Sequence, residues 1–103
     1  MKYYEVFISA ENQEQADMIL NSLLEKKLAT GGQFINTPAR FLWKGKINDM
    51  KEYLTITSFT TEKYKDGITA DVKMTSQEDF PMIRFFEFTG NEELLKWIDE
   101  TLE

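Results

Sequence analysis

The chain has no cysteine and no histidine among its 103 residues. The first absence excludes disulfides and thiolate nucleophiles. The second removes the imidazole on which most transition-metal centres and nucleophile–base pairs depend. Proline occurs twice and glycine five times, too few for a low-complexity linker or a collagen-like repeat. No apolar run approaches the length of a bilayer span, and Met1-Lys-Tyr-Tyr-Glu5 opens no signal-like segment. A soluble, cytoplasmic protein is therefore expected. Basic residues are scarce against acidic ones, 12 to 18, for a net charge of −6. Nucleic acid and anionic membrane both require a basic face, so neither is an expected partner, whereas a cation is a natural one.

What is present is the composition of a folded globule, 42% hydrophobic and 14% aromatic, in a length that suits one domain over residues 1–103. Tyr3–Ser9 reads as a strand. Ser9 or Glu11-Asn12 opens a helix, and Ala16, Ile19, Leu20, Leu23, Leu24 and Leu28 form a 3.6-residue apolar stripe. Ala29–Gln33 interrupts that stripe, and Gly31-Gly32 marks a bulge or a close approach of two backbones. The pair lacks the Lys-Ser/Thr of a phosphate-cradling loop. Phe34–Thr37 resumes extended character, and Pro38 breaks the ladder or sits on an edge. Leu54–Phe59 alternates as a half-buried strand, and Thr60-Thr61-Glu62 reads as the start of a second helix carrying Tyr64, Ile68 and Val72 on one face. Pro81–Phe88 reads as a fourth strand, and Glu92–Leu102 as a closing helix. This order predicts an α+β domain of the split β-α-β, ferredoxin-like kind: an antiparallel sheet with helices on one face.

The most specific stretch is Phe41–Tyr53. Arms at Arg40–Trp43 and Tyr53–Phe59 flank Lys44-Gly45-Lys46, where glycine supplies the positive φ of a tight reversal. The run Trp43-Lys-Gly-Lys-Ile47, followed by Lys51-Glu52, resembles the central hairpin of the CutA family, the divalent-cation tolerance proteins. Leu28-Ala29, Phe80-Pro-Met-Ile83 and Asn91 with Leu95-Lys-Trp-Ile98 are similar to further elements of that family in the same order. The resemblance implies a PII-like, ferredoxin-like subunit with an extended β2–β3 hairpin that assembles as a homotrimer. Phe41, Trp43, Gly45, Ile47 and Tyr53 are then the expected oligomer-interface residues.

Two departures bear on chemistry. The family carries a cysteine after its Leu-Ala exit, where this chain has Ala29-Thr-Gly-Gly-Gln33. It also carries a His-Pro-Tyr-Glu/Asp segment, where this chain has Ser76-Gln-Glu-Asp79. Copper or zinc of the usual soft or imidazole type has no ligands here. Glu78 and Asp79 remain as candidate carboxylate ligands for Mg²⁺, Ca²⁺ or Mn²⁺. No serine or threonine has a histidine partner, and no carboxylate spacing singles out an acid/base pair, so a non-enzymatic role in metal-ion response is expected. The alternative is a PII-like sensor or scaffold, binding an anionic small ligand (with Lys44, Lys46 and Arg84 as candidates) or a protein partner at its subunit interfaces.

Overall fold

The two periodicities resolve, in a computed structural model that describes residues Met1–Glu103, into seven elements joined by short connections. They are β1 (Tyr3–Ala10), α1 (Gln13–Glu25), β2 (Gly32–Trp43), β3 (Lys46–Thr61), α2 (Lys65–Thr75), β4 (Ile83–Phe88) and α3 (Glu92–Leu102). A 3₁₀ turn at Glu62–Tyr64 leads into α2. The four strands form one sheet in the order β2-β3-β1-β4, with every neighbouring pair antiparallel. This is the predicted ferredoxin-like α+β plan.

The alternation of β1 explains the core. Tyr4, Val6, Ile8 and Ala10 point to one face and are buried, as are their β3 neighbours Leu54 and Ile56. Ala16, Ile19, Leu20 and Leu23 of α1, with Ile68 and Val72 of α2, close over them in one cluster. Burying each such aliphatic side chain contributes about 1.5–3 kcal/mol. The Asn12 side chain accepts from the Gln15 N–H at 2.9 Å and caps α1. The helix ends at Glu25 with Lys26 as its C-cap, so Leu28 lies beyond it; Leu24, within the helix, is exposed, although both share the predicted stripe. Lys27 takes φ +54°, and the N–H groups of Lys27 and Leu28 donate back to the Leu24 and Leu23 carbonyls. That is a Schellman-type stop with lysine where glycine is usual. Leu28 then packs where Gly67 of α2 has no side chain: a Cβ there would stand 3.1 Å from Leu28 Cδ2. Beside this contact the Lys26 ammonium pairs with the buried carboxylate of Asp71, tying α1 to α2.

The crossover from α1 to β2 is stitched by β3 hydroxyls. Ser58 Oγ donates to the Gly31 carbonyl at 3.0 Å, and Thr60 Oγ1 donates to the Leu28 carbonyl at 2.8 Å. These hydroxyls satisfy backbone groups that no ladder serves. The close approach expected at Gly31-Gly32 is real: a Cβ on Gly32 would lie 1.7 Å from the Thr57 carbonyl oxygen.

Three boundaries differ from the sequence reading. The Tyr53–Phe59 arm belongs to a strand that begins at Lys46, because the reversal needs only Lys44 and Gly45, at φ +50° and +77°. Two successive positive φ values match the twist of the flanking strands. Thr60 and Thr61 stay in β3, paired with Tyr4 and Tyr3, and the helical segment starts only after them. The fourth strand begins at Ile83, two residues after Pro81.

The β2–β3 ladder also changes phase. Thr37 pairs with Tyr53, but Ala39 pairs with Met50, so Lys51 and Glu52 together face Pro38, which has no N–H to give. Pro38 thus interrupts the ladder on the edge strand, as expected. The arm beyond it stretches the molecule to 44 Å.

The second face of the sheet is aromatic and lies open. Phe7 and Phe86 meet edge-on at 5.4 Å, and Phe59 and Phe88 at 5.3 Å. Phe86 is 52% exposed and Ile35 43%. α3 packs against β3, burying Ile98 and Leu102. Tyr3 Oη donates to Asp99 Oδ2 at 2.8 Å, and this bond raises the phenol's pKa above its ordinary value. Tyr64 Oη donates to the Leu102 carbonyl at 2.8 Å.

Candidate functional site

The phase change at Pro38 decides what the hairpin presents on the open side. Before it, β3 directs odd-numbered residues such as Tyr53 to that side; beyond it, Asn48 and Met50 take the same direction, opposite Phe41 and Ala39. Phe41 therefore reaches Tyr53, ring to ring at 5.3 Å and 70°. Facing this wall is the Gln77–Met82 segment that connects α2 to β4. Between the two lies a half-open cleft of about 460 Å³.

Glu78 holds the connection in place. Its carboxylate accepts from Ser9 Oγ at 2.9 Å and from Tyr53 Oη at 2.7 Å. Ser9 in turn accepts from the Met82 N–H at 2.9 Å, and its own N–H donates to the Met82 carbonyl at 3.0 Å. One carboxylate thus joins β1, β3 and the connecting segment. Burial pushes the Tyr53 phenol up to about 12, and the bond to Glu78 adds to that rise while Ser9 opposes it. Tyr53 is accordingly a proton-holding donor at neutral pH, not a base.

The outer cleft is aromatic and acidic. Trp43 packs on Phe80 at 5.6 Å, and the Lys44 ammonium lies 5.6 Å from the Trp43 ring centre. Glu11, Glu78 and Asp79 contribute carboxylates, the Asp49 carboxylate is turned to Arg40 on the other side of the arm, and no lysine or arginine lines the space.

The structure brings Phe41, Trp43, Tyr53, Glu78 and Asp79 to this one cleft. It does not bring in Gly45, at the tip of the reversal, or Ile47, which faces solvent beside Leu42 at 73% and 75% exposure. Lys44, Lys46 and Arg84 do not converge on it either. Glu78 and Asp79, the expected cation ligands, lie side by side in the connecting segment with Glu78 already accepting two hydroxyls, and no three acidic side chains cluster closely enough for a multidentate site. Sequence reasoning missed Ser9, Glu11 and Phe80. Phe80 follows Glu78-Asp79 directly, and an aromatic beside two acids in a connecting loop was its only local signal.

Comparison with known proteins agrees with the geometry. Residues 4–101 match the family model described as CutA1 divalent ion tolerance protein. The divalent-cation tolerance protein CutA of Archaeoglobus fulgidus is 34% identical over 99 residues, covering 95% of this chain and 96% of that protein. A solved structure of CutA from the same organism, described as a periplasmic divalent cation tolerance protein, superposes with a TM-score of 0.91 at 31% identity. It covers 98% of this chain and 99% of its own. CutA1 of Ehrlichia chaffeensis superposes equally well, with a TM-score of 0.91 over 100% of this chain and 98% of that one. At 22% identity it speaks for the fold alone. The chain belongs to the CutA1 divalent ion tolerance family.

Proposed function

We propose that this chain is a homotrimeric, non-enzymatic protein of the divalent-cation response, acting in the cytoplasm. The observation that carries the assembly is the sheet itself. Its edge strands β2 and β4 are each paired on one side only, and its second face exposes Phe86 and Ile35. Unpaired edges and an apolar face are liabilities that a closed ring of identical chains removes. Gly45 and Trp43 at the arm tip, Leu42 and Ile47 beside them, and Phe41 and Tyr53 behind form the part of the arm that meets the neighbouring subunit. Support for a non-enzymatic role comes from the chemistry of the cleft: its tyrosine holds its proton, and its best-placed carboxylate is spent on holding the loop.

Light scattering tests the assembly. A mass three times the 12.1 kDa subunit is expected, and shortening the arm across Lys44–Ile47 should reduce it to one subunit. A shortened variant that stays folded and trimeric would remove the arm from the interface. Calorimetric titration tests the ion reading. Mn²⁺ is expected to bind weakly through Asp79 and Glu78, and Cu²⁺ and Zn²⁺ no better; heat with ATP and none with any metal would overturn it in favour of an anionic-ligand sensor. Cell fractionation decides the compartment, since the solved Archaeoglobus relative is described as periplasmic.

A further inference from the structure

Beyond Pro38 the arm is paired only within itself, and at its root the ladder is interrupted, where a strand bends most readily. Two ring contacts join it to the rest of the subunit: Phe41 on Tyr53 at 5.3 Å, near the root, and Trp43 on Phe80 at 5.6 Å, near the tip. Both lead to one carboxylate. Tyr53 donates to Glu78 Oε2 at 2.7 Å, and Phe80 stands two residues after Glu78 in the strap between α2 and β4. That strap contains no helix or strand, so side-chain bonds fix its path. Ser9 Oγ donates to Glu78 Oε1 at 2.9 Å from behind, and the Gln15 amide donates to Gln77 Oε1 at 3.3 Å.

We propose that Glu78 is a latch that sets the angle of the arm, and that through this angle it governs how firmly the subunits assemble. With the latch closed, Tyr53 and Phe80 offer two fixed ring surfaces, and an arm held at root and tip has one direction. Without the carboxylate, the Ser9 and Tyr53 hydroxyls lose their shared acceptor and the strap loses its link to β3. Phe80 then no longer stands fixed behind Trp43. An arm left free to swing must be ordered when it meets the neighbouring subunit, and that ordering subtracts from the affinity. Glu78 is on this account a positioning residue, acting through Tyr53 and Phe80. Its effect on assembly rests on the trimer reading; the latch itself does not.

The test is amide hydrogen exchange read by mass spectrometry, with light scattering over a dilution series of the same samples. In Glu78→Ala the arm amides between Ala39 and Met50 should exchange about tenfold faster, through loss of hydroxyl bonds to a carboxylate. Those of inner β3 around Ile56 should keep the parent rate. Tyr53→Phe keeps the ring on Phe41 and removes only the hydroxyl, so it should quicken the arm about fivefold; it also serves should Glu78→Ala fail to fold. Glu25→Ala, at an exposed acid ending α1, makes the same charge change and should match the parent. The two latch variants should dissociate at protein concentrations raised by similar factors. Unchanged arm exchange, or equal quickening in the arm and around Ile56, would overturn the latch. Faster arm exchange with an unchanged dissociation concentration would overturn its link to assembly. A parent that scatters as one subunit would remove the trimer reading and that link together, and the exchange comparison would then decide the latch on the single subunit.

Discussion

The single strand β3 runs through two environments that share little beyond the backbone. From Tyr53 to Thr61 it lies between β1 and β2, beneath α1 and α2, and most of its side chains are buried. From Lys46 to Glu52 it has β2 alone for company and mostly faces water. The inner half is held by volume and by hydroxyls that answer backbone groups. The outer half is held by a ladder and a turn. A hairpin with one partner strand is marginal in isolation, so the arm's contribution lies in what it presents rather than in what it stabilises.

Substitutions at matched positions should expose that contrast. Ile56→Ala in the inner half is expected to lower unfolding free energy by about 3 kcal/mol, read from the denaturant midpoint. Ile47→Ala in the arm should change it by no more than about 0.5 kcal/mol in the isolated subunit. Equal costs would mean that the arm is packed as tightly as the core. Gly32→Ala should cost about 2–3 kcal/mol, since the new carbon meets the Thr57 carbonyl and neither backbone can withdraw far.

Tyr53 stands at the junction of the halves. Tyr53→Phe should cost about 1 kcal/mol by leaving Glu78 one donor short. It should also flatten the alkaline edge of the stability profile. With the folded phenol at about 12 and its ordinary value at 10, protonated Tyr53 stabilises the fold fully below pH 10 and loses that contribution towards pH 12. Phenolate absorbance against pH checks the titration directly. The smallest effect is expected at the tip: Lys44→Asn should stabilise the arm by about 0.5 kcal/mol, because asparagine tolerates the positive φ that lysine adopts at a cost. Hydrogen exchange of the arm amides is the sensitive measurement.

Much of the inner half was legible in the sequence because its signals are local. The α1 stripe, the glycine approach and the reversal at Lys44-Gly45 each depend on a few adjacent residues, whereas the start of α1 was open between Ser9 and Glu11-Asn12 until the Asn12 cap settled it. The outer half was less so. Lys46–Glu52 has no clean alternation, because two of its residues face one across Pro38 and the pattern shifts in the middle. Thr60 and Thr61 imitate a helix start; their burial beside β1, which keeps them extended, is a tertiary fact. The Glu78–Ser9–Tyr53 clasp joins residues up to 69 positions apart, and no spacing rule foretells it. Asp79 and Trp43 were singled out separately, but only the folded arm makes them two sides of one cleft.

The extra residue opposite Pro38 is absorbed where it stands. Side-chain direction along a strand depends on whether the count is odd or even. Deleting Lys51 or Glu52 would set Met50 two positions from Tyr53, so Met50 and Asn48 would still lie opposite Ala39 and Phe41. What would go is the local bend and twist that a bulge imposes. The arm would keep its side-chain faces and lose its angle, and the two walls of the cleft would be re-aimed by a change at two exposed residues outside the core.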